Sequence, residues 1–122
     1  MIRINAAKNA KFYDSYIPCD CMNCQNFYAQ IKSTCKELSD FFLQNNIDIE
    51  KPYELVSIEL NNETEYISCQ YLVFGECSDD YNIKIGNIVV KKEIDGHPST
   101  DSYEQPNFVL DFSITLPNII KK

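Results

Sequence analysis

The sequence predicts an α+β fold, with one long amphipathic helix packed on a mostly antiparallel sheet of five to six strands, in two layers. Three observations predict it. A single helical stripe runs unbroken from Asn23 to about Gln44, with no glycine or proline inside it. A series of short alternating segments follows, from Tyr53 to Leu116. The connections between those segments are short and turn-like, which favours antiparallel pairing, and one helix can cover only one face of a sheet.

Each element has its own warrant. Phe12–Ile17 is rich in aromatic and β-branched residues and stops at Pro18, so it is read as a first strand. In the helix, Cys24, Phe27, Ile31, Cys35, Leu38 and Phe42 recur at steps of three or four and share one face, widened by Tyr28 and Phe41. Asp20 or Asn23 can cap its start, and Asn45-Asn46 offers a left-handed exit. Val56, Ile58 and Leu60 alternate with Ser57 and Glu59, and Asn61-Asn62-Glu63 then turns the chain. The following strand places Ile67, Cys69, Tyr71 and Val73 on one face and Tyr66, Ser68, Gln70 and Leu72 on the other, before a turn over 75–80. Between Tyr81 and Ile94 the apolar phase switches at Gly86-Asn87, as a hairpin or bulge requires. After a polar loop over 96–106, Phe108, Leu110, Phe112, Ile114 and Leu116 alternate with Asp111, Ser113 and Thr115.

The chain of 122 residues is read as a single domain, 1–122, with no repeat and no linker. No segment is apolar for the roughly 18 residues that a membrane span needs. The first residues lack the apolar stretch of an export signal, so the expected location is cytoplasmic. A net charge of −7 speaks against a nucleic-acid surface. That charge is concentrated: residues 37–82 sum to −10, residues 1–36 to +3, and residues 83–122 to zero. An acidic middle suits either a solvated face or a basic partner protein.

Six cysteines are many for a reducing compartment, where a disulfide framework is not expected. Cys35 and Cys69 fall on apolar faces and read as small core residues. Cys19, Cys21 and Cys24 differ, because they stand together where the helix begins. A helix N-terminus favours thiolate, which is both a metal ligand and a nucleophile. Three thiolates can converge on one tetrahedral zinc ion, with Cys77 or His97 as candidates for the fourth ligand. The competing expectation is a thiol-disulfide oxidoreductase using Cys21 and Cys24. Two features oppose it: the elements that follow are strands, and Asp20 is expected to push the Cys21 thiol up. No nucleophile elbow or phosphate-cradling loop is present, so a non-enzymatic binding domain is favoured over an enzyme. An acidic, immunity-type interaction module is the remaining alternative.

Four segments carry a further resemblance: 16–28 around Cys19-Asp-Cys-Met-Asn-Cys24, 48–55, 69–77 ending in Gly75-Glu-Cys77, and His97-Pro-Ser-Thr100. From about Phe12 onward the chain resembles a family of small, uncharacterised bacterial proteins. The resemblance implies a bacterial cytosolic origin and supplies no activity and no functional residue. Its segments coincide with Cys19, Cys21, Cys24, Cys77 and His97.

Overall fold

One strand organises the sheet. In the computed structural model, which describes residues 1–95 and 99–120, β3 (Glu63–Cys77) is paired along both of its edges. β1 (Ile2–Ile4) and β2 (Glu54–Glu59) share one edge, β1 at the Gly75–Cys77 end and β2 along Thr64–Gln70. β6 (Asn107–Pro117) runs along the other edge, followed by β5 (Ile88–Lys92) and β4 (Asn82–Ile85). Every pairing is antiparallel. Three helices precede β2: α1 (Ala6–Ser15), α2 (Met22–Thr34) and α3 (Lys36–Gln44). The α+β class and the antiparallel sheet agree with the sequence-based expectation.

Four local expectations need correction. The expected strand at Phe12–Ile17 lies mostly in α1, and the first strand is Ile2–Ile4 instead. Ala6, Ala7 and Ala10 are strong helix formers, and the Asn5 side chain caps the helix by accepting the Lys8 N–H at 3.1 Å. The aromatics then serve as a helical face: Tyr13 is buried and its hydroxyl donates to the Leu72 carbonyl at 2.7 Å.

The single long helix is two helices. Cys35 adopts φ −123° and ψ 62°, which ends α2 and starts α3. The Cys35 N–H still donates to Ile31 and its carbonyl still accepts from Ser39, so the chain kinks without a loop. Both halves keep their apolar faces inward, Phe27 and Ile31 from α2, Leu38 and Phe42 from α3. The exit is as expected, with Asn46 at φ 58°.

Within β3 the register against β6 shifts between Tyr66 and Cys69. This irregularity moves Tyr66 to the core side with Cys69, Tyr71 and Val73, and leaves Ile67 exposed. A strict alternation read from sequence cannot show such a slip. The expected turn over 75–80 is also shorter, because β3 continues to Cys77. Gly75 has φ +132° and lies so close to β1 that a Cβ there would meet the Arg3 carbonyl oxygen at 2.0 Å.

The core lies between the helices and the sheet. Tyr66, Tyr71, Phe27, Phe42 and Phe112 are its largest fully buried side chains, each worth roughly 1.5–3 kcal/mol of transfer. Tyr71 stacks on Phe112 at 5.7 Å and donates its hydroxyl to the Ile49 carbonyl at 2.6 Å. Two buried amides tie α2 to the end of β6: Asn26 and Gln30 both donate to the Pro117 carbonyl, at 3.1 and 2.8 Å. The same Asn26 accepts the Ile119 N–H at 2.9 Å. These bonds fix the N-terminal half of α2, and with it the cysteine turn that leads into it.

Candidate metal centre

The turn from α1 to α2 is held by side chains that reach it from well-packed elements. The Tyr28 hydroxyl donates to the Cys19 carbonyl at 2.6 Å, and Gln25 Nε2 donates to the Asp20 carbonyl at 2.7 Å. Behind it, the Tyr66 hydroxyl donates to the Asn23 carbonyl at 2.5 Å, and Asn23 Nδ2 reaches the Ser57 hydroxyl of β2. The turn is therefore anchored to the sheet through the core residue Tyr66. None of these supports was named from sequence. Tyr28 carried a signal, since it follows the cysteines by one helical turn, but it read only as part of the apolar stripe.

Cys21 is the residue at the N-cap of α2, where Asp20 or Asn23 was expected. Its sulfur faces the free N–H groups of the first turn without closing a full capping bond. Those groups, the Cys24 N–H first, hold the Cys21 thiol below its ordinary value. Partial burial works against this, and the Cys24 and Cys19 thiols add to the lowering. The expected upward push from Asp20 is not what governs this thiol. Cys24 is buried, and burial together with the neighbouring Cys21 and Cys19 sulfurs pushes its thiol well up. Tyr28, beside Cys24, is also held protonated by burial first and the nearby sulfur second.

The Sγ atoms of Cys19, Cys21 and Cys24 all lie within 4.8 Å of one another. Cys19 and Cys21 are exposed, while Cys24 forms the floor. Sulfurs around a tetrahedral ion bound at about 2.3 Å are about 3.8 Å apart, so small side-chain rotations would close the set on a metal. The three residues lie close enough together to hold one. All six cysteines are free thiols.

The other sequence candidates fall elsewhere. Cys77 ends β3, opposite Ile2 of β1, whereas the cysteine turn rests on Tyr66 near the start of that strand; roughly 35 Å of strand separates them. Its carbonyl accepts from Lys92 Nζ at 2.9 Å. His97 lies outside the described residues. Cys35, at the helix kink, and Cys69, in the core, are packed as expected.

Two further features have no counterpart in the sequence reading. A cleft of about 470 Å³ opens between α1 and the exit of α3, walled by Tyr13, Asp14, Lys32, Asp48 and Lys51. On the outer face of the sheet, Asp111 is buried although its alternation marks it as solvent-facing. It accepts the Ser68 hydroxyl at 2.8 Å, and Gln70, its cross-strand partner, donates to Glu93 at 3.3 Å. No helix of the described residues is long and apolar enough to cross a membrane. Compared with known protein families, curated proteins and solved structures, the chain matches none.

Proposed function

We propose that this protein is a non-enzymatic cytoplasmic binding domain in which Cys19, Cys21 and Cys24 hold a zinc ion as a local structural element. The observation that carries the reading is the mutual approach of the three sulfurs within 4.8 Å at the start of α2. The support around them fits a resident ion. Hydrogen bonds from Tyr28, Gln25 and Tyr66 fix the turn, and fixed ligands lower the entropy lost on coordination. Exposure of Cys19 and Cys21 gives the ion a path in and leaves its fourth position toward solvent. Cys77 is too far along β3 to fill that position. His97 stays in the proposal as a ligand to be tested. The bound partner is a protein or a small ligand, and the cleft between α1 and α3 is a concave surface available to the latter.

The test is the metal content of untagged protein purified without chelator under reducing conditions. About one zinc per chain is expected, lost in the Cys21→Ser/Cys24→Ser variant, with a melting temperature that falls on chelation. A His97→Ala variant that loses half or more of its zinc would make His97 the fourth ligand. Metal-free protein with full thiol titration overturns the reading.

One observation favours a second reading. An exposed Cys21 three residues before a buried Cys24 is the arrangement in which a first thiol attacks and a second resolves. The all-antiparallel sheet argues against it, since thioredoxin-like proteins place this motif in a unit with parallel strands. Failure of the chain to exchange with a small disulfide would remove this alternative.

A further inference from the structure

Among the described residues the sheet has its edges at β1, β2 and β4, and they are not alike. β1 has three residues, and β4 has four with Lys84 among them; short length and lysine are common protections of an edge. β2 has six residues, and among the described residues Glu54 to Ile58 have β3 as their main-chain partner. Leu55 packs against the core and Ser57 meets Asn23 of α2, so Val56 and Ile58 point to the opposite, uncovered face. There Val56 is 46% exposed, Ile58 49%, and Ile67, displaced by the irregularity in β3, 41%. Carboxylates bracket these three: Glu54 at one end of β2, and Glu65, which faces Ile58 across the β2–β3 pair, with Glu63 beyond it. Glu54, Glu63 and Glu65 are exposed, and none is in an ion pair among the described residues.

We infer that the free edge of β2 is a docking site for an extended segment of a partner protein that adds as a further strand, with apolar side chains at its centre and lysine or arginine at its ends. Main-chain bonds to the open edge supply affinity. The outward Val56–Ile58–Ile67 stripe takes the central side chains, and Glu54, Glu63 and Glu65 select the basic ends. A second copy of this chain does not fit, because β2 carries Glu54 and Glu59 at its two ends and no lysine or arginine, so an antiparallel β2–β2 pair would set carboxylate near carboxylate. This names a partner for the binding-domain reading without using the cysteine site.

The test uses the 15N-labelled full chain and two capped seven-residue peptides, KTVTVTK and ETVTVTE, at low salt. The first places lysine, two valines and lysine on one face, and the second reverses its end charges. KTVTVTK is expected to shift and protect the amides of residues 54–58, and to bind at least about tenfold more weakly to the Glu54→Lys/Glu65→Lys variant. Both substitutions lie on the exposed face, and an unchanged amide spectrum elsewhere certifies the fold. Equal binding of ETVTVTE, shifts located away from β2, no shifts at about 1 mM peptide, or dimerisation of the free chain through this edge would each overturn the inference. Running the titration with zinc-loaded and chelator-treated protein separates the two proposals. The edge response is expected in both, so its loss leaves the zinc reading intact, and a metal-free chain leaves the edge intact.

Discussion

The side-chain oxygen of Asn9 accepts the backbone N–H of Phe74 at 2.8 Å, at a point where neither group reaches water. Its amide nitrogen donates to the Asn45 carbonyl at 3.0 Å. One fully buried side chain on α1 thus completes both the end of β3 and the end of α3.

Replacing Asn9 by alanine leaves the buried Phe74 N–H and the part-buried Asn45 carbonyl without their partner. A destabilisation of about 2–4 kcal/mol is expected in urea unfolding, since each orphaned group costs about 1–3 kcal/mol. Asn9→Asp keeps the acceptor, loses the donor and buries a charge, so it is expected to be no milder. A loss below about 0.5 kcal/mol in the alanine variant would show that water reaches the site.

Gly75→Ala tests the junction of β1 with β3. The added carbon would stand 2.0 Å from the Arg3 carbonyl oxygen, on a backbone at φ +132° that L-residues avoid. Backbone strain and overpacking together are expected to cost roughly 2–4 kcal/mol. Amides of Ile2 to Ile4 are expected to lose protection from hydrogen exchange first, while the β3–β6 pairing persists. Normal protection there would mean that β1 is seated differently.

Asp111 predicts a pH dependence with a definite sign. Burial, reinforced by the nearby Glu93 carboxylate and partly offset by the Ser68 hydroxyl, holds its carboxyl above the usual carboxylate range. The folded chain therefore binds this proton more tightly than the unfolded chain, in which an aspartate titrates near about 3.9. The associated stability is complete below about pH 4 and is lost as pH rises through the folded value. Asp111→Asn retains an acceptor for Ser68 and cannot ionise. It is expected to melt higher than the parent at neutral pH, with the difference vanishing toward pH 4. A variant that melts lower at pH 7 would refute this account of the cluster.

Thiol reactivity should follow burial around α2. In reduced, metal-free protein, iodoacetamide is expected to modify Cys21, which is exposed and more acidic than an ordinary thiol, before Cys24 and Cys69, which are buried and less acidic. Peptide mass mapping over time reads the order. Labelling of Cys24 as fast as Cys21 in the native state would contradict the arrangement of the turn.

The sheet was largely legible in the sequence because its strands carry period-two patterns that burial imposes. The alternation from Phe108 to Leu116 and the phase switch at Gly86-Asn87 correspond to β6 and to the β4–β5 hairpin, where Gly86 has φ 60°. The misses share one cause, dependence on partners distant in the chain. Ile2–Ile4 is a strand only because Gly75–Cys77 lies beside it, and Phe12 and Tyr13 are helical although their β propensity is high. The kink at Cys35 and the slip around Ile67 interrupt patterns that run on without a break in the residues themselves. At the candidate site, the three cysteines were visible from their spacing. The hydroxyls of Tyr28 and Tyr66 that hold their turn were not, since a tyrosine on an apolar face gives no sign of where its oxygen points.

β6 lies in the middle of the sheet, between β3 and β5, although it is synthesised after the other five strands. During translation the strands on either side of it emerge first, each lacking the neighbour it will have on that side. β3 then shows one unpaired ladder from Glu63 to Phe74, and β5 has only β4 for company. Folding cannot proceed by laying strands down in order from the N-terminus; it waits for residues 107–117 to insert between two strands already made. Such long-range closure slows folding and lengthens the time in which a nascent chain can pair wrongly. A ribosome that stalls before Asn107 would hold a chain with a gap at the centre of its sheet, a species suited to chaperone capture.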